Sequence, residues 1–266
     1  MLRTRVLTAL VLLTVLGVVM TVLPPWAGHW TLLGVLAAGA WEWAAFAGFS
    51  TAVSRMTYVA ATLLLGFLTE QGVRTSGVYP LMMLASVWWI VTAARIVFAP
   101  DRLGVGMTVV AGWLTLLPAV VAVAKLYEHL RVDGNWYFLI LVSLVAAADI
   151  GAYFAGRRFG RRKLAPLVSP GKTWEGVLGG AAAVSAVALG WVAVGLFPSR
   201  FVLVALAVFA ASVVGDLSES LFKRSVGVKD SGTLLPGHGG VLDRIDSLTA
   251  AAPVYVLGLH WIGTLW

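Results

Sequence analysis

Residues 220–246 read SLFKRSVGVKDSGTLLPGHGGVLDRID, a polar and glycine-rich run set between two apolar segments. Polar density of this kind beside a bilayer is expensive unless it does chemistry. Asp243 and Asp246 are three residues apart, a spacing that puts both carboxylates on one face of a helix. Asp216 closes the preceding apolar run and could approach them after folding. Hard oxygen ligands suit Mg²⁺, which takes a couple of carboxylates and completes its shell with water and substrate phosphate. Gly239 and Gly240 follow Pro236-Gly237-His238 and let backbone N–H groups come close to phosphate oxygens. A helix starting just beyond them adds a favourable dipole. Lys223, Arg224, Lys229 and Arg244 are candidate phosphate clamps, Arg as a two-pronged fork and Lys as a point charge. Arg244 stands between two acids, so part of its role is to balance them. His238 is a candidate phosphate donor or general acid, and Asp230 adjoins Lys229 within the same set.

A second constellation lies upstream, in Arg157–Gly176. Ser169-Pro170-Gly171-Lys172-Thr173-Trp174-Glu175 has the look of a phosphate-binding turn leading into a helix. It is not a Walker A motif, because Pro166 stands where the first glycine would be needed. Lys172 and Thr173 are candidate nucleotide contacts, and Glu175 could hold metal-bound water. The bland alternative for Thr173 and Glu175 is helix capping. Arg157, Arg158, Arg161, Arg162 and Lys163 read as an anionic-lipid and topology patch. Asp149 sits inside an apolar helix, and an intramembrane acid is a functional candidate by default. Glu42, in another apolar run, suits a structural hydrogen bond between helices.

These residues need elements to position them, and composition says which kind. The chain has 266 residues, 60% hydrophobic and 12% charged, with a mean hydropathy of +0.92. Soluble domains are nearer half apolar and a quarter charged. The expected fold is therefore an all-α polytopic integral membrane protein. Apolar runs at 6–23, 30–49, 57–69, 79–98, 104–124, 136–155, 176–197, 201–216 and 248–265 predict about nine transmembrane helices, since a span needs about 17–25 residues. The run 57–69 is short, with Thr69-Glu70-Gln71 directly after it, and a re-entrant segment is the alternative there. The first run follows Arg3 and Arg5 like a signal peptide, but no small-residue cleavage site follows, so it is read as a retained helix. There is no cysteine, which excludes disulfides, thiolate metal sites and cysteine nucleophiles.

With the N-terminus in the cytoplasm, most of the 19 Lys and Arg fall on the cytoplasmic side. Only Arg74, Lys125, Arg131 and Arg200 fall on the other. The net charge of +7 thus reports topology and anionic lipid rather than nucleic acid. The chain divides into N-terminal helices over 1–135 and a C-terminal catalytic region over 136–266. The latter carries two cytoplasmic loops, 156–175 and 216–247.

The pattern S-x-[apolar]-K-R-x₄-K-D-x-[small]-x₂-[apolar]-P-x-H-G-G-[apolar]-x-D-R-[apolar]-D resembles the signature of the phosphatidate cytidylyltransferases. It is filled here by Ser220, Lys223, Arg224, Lys229, Asp230, Pro236, His238, Gly239, Gly240, Asp243, Arg244 and Asp246. Asp149, Tyr153, Gly156 and the run from Ser169 to Glu175 are also similar to that family. The resemblance covers about 140–250 well, whereas the first half is similar only as apolar spans with an acid in the second. It implies that CTP and phosphatidic acid give CDP-diacylglycerol and pyrophosphate with Mg²⁺, a second cation being left open. It also implies Asp216, Asp243 and Asp246 as metal ligands, with Ser169, Lys172, Thr173, Glu175, Lys223, Lys229 and His238 lining the polar site. Partners would be membrane lipid and the two substrates, with no nucleic acid and with a homodimer left open. The location would be the cytoplasmic membrane, the site facing the cytoplasm. Two rivals stand beside this reading: an ion-coupled transporter, suggested by the intramembrane acid, and another CTP-dependent lipid enzyme such as a polyprenol kinase.

Overall fold

The computed structural model describes residues 17–19, 22–100, 103–134, 136–235, 237 and 239–265. Among them, eight long helices run in chain order: α1 (Pro25–Phe46), α2 (Ala52–Ser76), α3 (Tyr79–Phe98), α4 (Val105–Asp133), α5 (Tyr137–Phe159), α6 (Trp174–Ala193), α7 (Phe201–Ser225) and α8 (Leu242–Trp261). A short antiparallel hairpin, β1 (Lys163–Ala165) and β2 (Ser169–Thr173), connects α5 to α6. By length and composition, α2, α3, α4, α5, α6 and α7 can each cross a membrane. The expected first span, 6–23, lies almost wholly outside the described residues.

The short run 57–69 is the core of a 25-residue helix, α2. Thr51 starts it by accepting from the Ser54 N–H at 3.2 Å. It continues through Glu70 because Arg74 pairs with that carboxylate one turn later, at 2.7 Å. Gly77 at φ +79° ends it. A second departure concerns the polar loop expected from 216. The first ten residues of that stretch remain helical, extending α7 to Ser225. Leu217 and Leu221 are one turn apart and pack with Ile96 and Val168, so a buried apolar stripe carries the helix past its acids.

The chain forms two compact units, and neither is a consecutive half. One gathers Met1–Gly77, Arg102–Tyr137 and Phe222–Ile245; the other gathers Val78–Asp101, Phe138–Leu221 and Asp246–Trp266. In the first unit, Trp43 of α1 donates to the Thr108 carbonyl of α4 at 2.8 Å, and Trp113 of α4 donates to Thr62 of α2 at 3.0 Å. In the second, α5 and α6 meet along small residues. A Cβ added at Gly151 would lie 2.6 Å from the Gly179 carbonyl oxygen, and one at Gly176 would lie 3.0 Å from that of Ala152. Small residues permit such close backbone approach where lipid offers no hydrophobic drive.

Candidate active site

The second unit holds a cavity of about 490 Å³, within the range of small-molecule sites. It is built by one end of α5, the hairpin and the first turns of α6, with α7 and α8 behind. Helix α5 supplies Asp149, Tyr153 and Arg157. The hairpin supplies Lys172 and Thr173, α7 supplies Ser212 and Asp216, and α8 supplies Ser247. The Lys172 ammonium pairs with the Asp216 carboxylate at 2.5 Å. On the same lining, the Arg157 guanidinium donates to the Tyr153 hydroxyl at 2.9 Å.

Local structure explains why the hairpin can present Lys172. Thr173 caps α6 by accepting from the Gly176 N–H at 3.1 Å. Glu175 accepts from the Arg161 N–H at 3.0 Å and the Arg162 N–H at 3.2 Å, tying the start of the hairpin to the start of the helix. Thr173 thus caps the helix and also lines the cavity, whereas Glu175 braces the backbone that enters the hairpin. Ser169 pairs with Ala165 across the hairpin and is not part of the lining.

Asp246 belongs to the same unit. Burial, then the nearby Asp216 and Glu219 carboxylates, push its carboxyl well above the usual range. Acids crowded in this way favour a bound cation or a shared proton. Glu219 was not singled out from the sequence. Its signal was there: it lies one turn beyond Asp216 on the same face of α7, in a segment that looked like loop.

The first unit holds the other polar constellation. Lys223 pairs with Asp243 at 2.7 Å, with side chains only 13% and 6% exposed. Asp243 also accepts from the Ser231 N–H at 2.9 Å, the Ser231 hydroxyl at 3.0 Å and the Gly240 N–H at 2.8 Å. Burial alone would raise its carboxyl; the Lys223 ammonium and the two backbone donors outweigh it and leave the group below the usual range. Gly239 is at φ +80°, and a Cβ there would lie 2.6 Å from an Asp243 oxygen. The Gly240 N–H, expected to meet phosphate, therefore serves Asp243 here. Glu42 accepts from Val241 and Leu242, so it is a structural hydrogen-bond acceptor.

The remaining candidates are more open. Lys229, Asp230 and Arg244 are exposed, and the Arg224 guanidinium reaches the Val228 carbonyl at 3.4 Å. Pro236 and His238 lie outside the described residues. Among the described residues, no three His, Asp or Glu side chains are gathered as a ready-made metal site. Asp216 and Glu219, the carboxylates nearest Asp246, offer oxygen donors of the kind a hard cation takes, and Asp216 is at present paired with the Lys172 ammonium.

Helices long and apolar enough to cross a bilayer, with a cavity lined by Asp149, Arg157, Lys172 and Asp216 among apolar side chains, define a membrane protein. Comparison with known proteins narrows the class. The sequence model of the cytidylyltransferase family matches residues 3–262, and the chain belongs to that family. It is 42% identical to a phosphatidate cytidylyltransferase of Pseudomonas aeruginosa over 98% of this chain and 97% of that protein. It is 37% identical to one of Haemophilus influenzae, over 96% and 97% respectively. A Brucella suis protein of the same name is 49% identical over 48% of this chain and 49% of its own length.

Proposed function

We propose that this chain transfers CMP from CTP to phosphatidic acid, forming CDP-diacylglycerol and pyrophosphate for phospholipid synthesis. The observation that carries the reading is the full-length relationship to phosphatidate cytidylyltransferases, in a chain whose Asp149, Lys172, Thr173 and Asp216 share one cavity.

A phosphate oxygen of the lipid attacks the α-phosphorus of CTP. The new P–O bond forms as the bond to the β-phosphate oxygen breaks, and pyrophosphate leaves with that electron pair. Such a step needs alignment of two mutually repelling anions and neutralisation of charge more than covalent help. Lys172 and Thr173 hold phosphate oxygens from the hairpin, and Arg157 adds a cation on the same lining. Lys223, Lys229, Arg224 and Arg244 supply further positive charge, and His238 is the candidate proton donor. Asp216 and Asp246, with Asp243 as the third candidate, would hold Mg²⁺, which when bound supplies Lewis-acid polarisation and a template for phosphate oxygens. The site faces the cytoplasm, where CTP is found, in a multi-pass protein of the cytoplasmic membrane, and the lipid enters laterally from the bilayer.

The test is to incubate purified protein with labelled CTP, Mg²⁺ and a panel of phosphatidic acid, other phospholipids and polyprenols. Label should enter phosphatidic acid alone, as the CMP moiety of a CDP-lipid. Transfer of the γ-phosphate to a polyprenol would replace this reading with a kinase. Nucleotide-independent ion flux in liposomes, with no labelled lipid, would replace it with a transporter.

A further inference from the structure

Glu42 is the only acid of α1, and it is 2% exposed. Its Oε1 accepts from the Val241 N–H at 2.9 Å, and its Oε2 accepts from the Leu242 N–H and from the Ser231 hydroxyl, each at 2.9 Å. Val241 precedes α8 and Leu242 opens it, at a helix end where N–H groups have no partner within the helix. A local Ser, Thr, Asp or Asn usually meets that need. Here a carboxylate 199 residues away along the chain does so.

The fit around this carboxylate is close. A Cβ added at Gly232 or at Gly240 would lie 2.5 Å from Glu42 Oε1, so both positions admit only glycine while the carboxylate is there. The Ser231 hydroxyl is the link to the motif acid Asp243 read from the sequence. It lies 2.9 Å from Glu42 and 3.0 Å from Asp243, with one proton to share between them. Asp243 in turn holds Lys223. Displacing Glu42 would therefore release Ser231 and the 240–242 turn together, and with them the direction of the Asp243–Lys223 pair.

We propose that Glu42 is a positioning residue for the reaction, fixing Ser231 and the first turn of α8 so that Asp243 and Lys223 keep one orientation. The proposal rests on the cytidylyl-transfer reading, in which those two residues belong to the polar machinery.

Two variants of the full-length protein in nanodiscs test it. Glu42→Gln keeps the shape: its carbonyl oxygen can accept from the Val241 N–H while its amide donates to Ser231, leaving only the Leu242 N–H without its acceptor. Glu42→Leu keeps the volume and leaves the turn unpaired. In Glu42→Leu, kcat should fall about 10²-fold, the scale of a small misplacement, with the KM for CTP unchanged; Glu42→Gln should recover most of the kcat. A kcat loss that merely follows the melting temperature in both variants, or intact kcat in Glu42→Leu, overturns the proposal. If Glu42→Leu does not fold, Ser231→Ala decides: it should lower kcat with melting near that of the unsubstituted protein, and unchanged kcat overturns the idea. Should the unsubstituted protein make no CDP-diacylglycerol, the reaction assignment falls on its own. Hydrogen exchange then judges the clamp in Glu42→Gln: slow exchange at Val241 and Leu242 in the unsubstituted protein that speeds up at one of the two in the variant supports it, whereas exchange unchanged at both overturns it.

Discussion

At the scale of single residues, lysine–aspartate pairs dominate both polar constellations. Lys172 holds Asp216 in one unit, and Lys223 holds Asp243 in the other. The cations expected to clamp phosphate are thus partners of the acids expected to hold metal. Removing one member of a well-buried pair leaves the other uncompensated. Asp246→Asn should lower Mg²⁺-dependent CDP-diacylglycerol formation by at least about 10²-fold, measured with labelled CTP on folded, membrane-inserted protein. Near-normal turnover would remove Asp246 from the ligand set. Lys172→Ala should raise the KM for CTP, and an unchanged KM and rate would argue that Lys172 never touches the nucleotide. The Lys223–Asp243 pair also carries a pH signature. The Asp243 carboxyl is held below its ordinary value, so its stabilising contribution is complete above about 4, the unfolded aspartate value. That contribution is lost as pH falls through the depressed folded value. The melting-temperature gap between the unsubstituted protein and Asp243→Asn, measured without divalent cation, should therefore be widest near neutrality and close on acidification. A gap that widens in acid would contradict the sign.

At the scale of elements, the hairpin and the α5–α6 interface do the positioning. Thr173 ends a strand and caps a helix within one residue, so Lys172 is fixed from both sides. Thr173→Ala should cost about 1 kcal/mol, read as a fall in melting temperature. The contact of α5 with α6 leaves no space at Gly179, where a Cβ would lie 2.7 Å from the Gly151 carbonyl oxygen. Gly179→Val should destabilise by about 1–3 kcal/mol through overpacking, and unchanged thermal stability in detergent would show that the helices can part freely. The sequence revealed α2, α5 and α7 as apolar runs but mistook their ends. Periodicity weakens where charged residues enter, although Glu70–Arg74 pairing and the Leu217–Leu221 stripe keep the helices going.

At the scale of the whole molecule, each unit draws segments from both halves of the chain. The motif 220–246 is itself divided between them, which no linear reading would suggest. Orientation is testable because the chain has no cysteine. With the N-terminus in the cytoplasm, a membrane-impermeant maleimide applied to intact cells should label Thr75→Cys and spare Arg158→Cys until the membrane is opened. The reverse pattern would invert the topology.

Residue types and spacing were enough to determine the membrane class, the family and most of the polar residues, because hydropathy and motif order are local properties of a chain. Which acid meets which base was settled only by tertiary packing. Glu42 reaching the start of α8, Glu219 crowding Asp246 and Lys172 pairing with Asp216 all join separate elements. Such pairings depend on how helices and hairpin pack together, and no periodicity along the sequence encodes that.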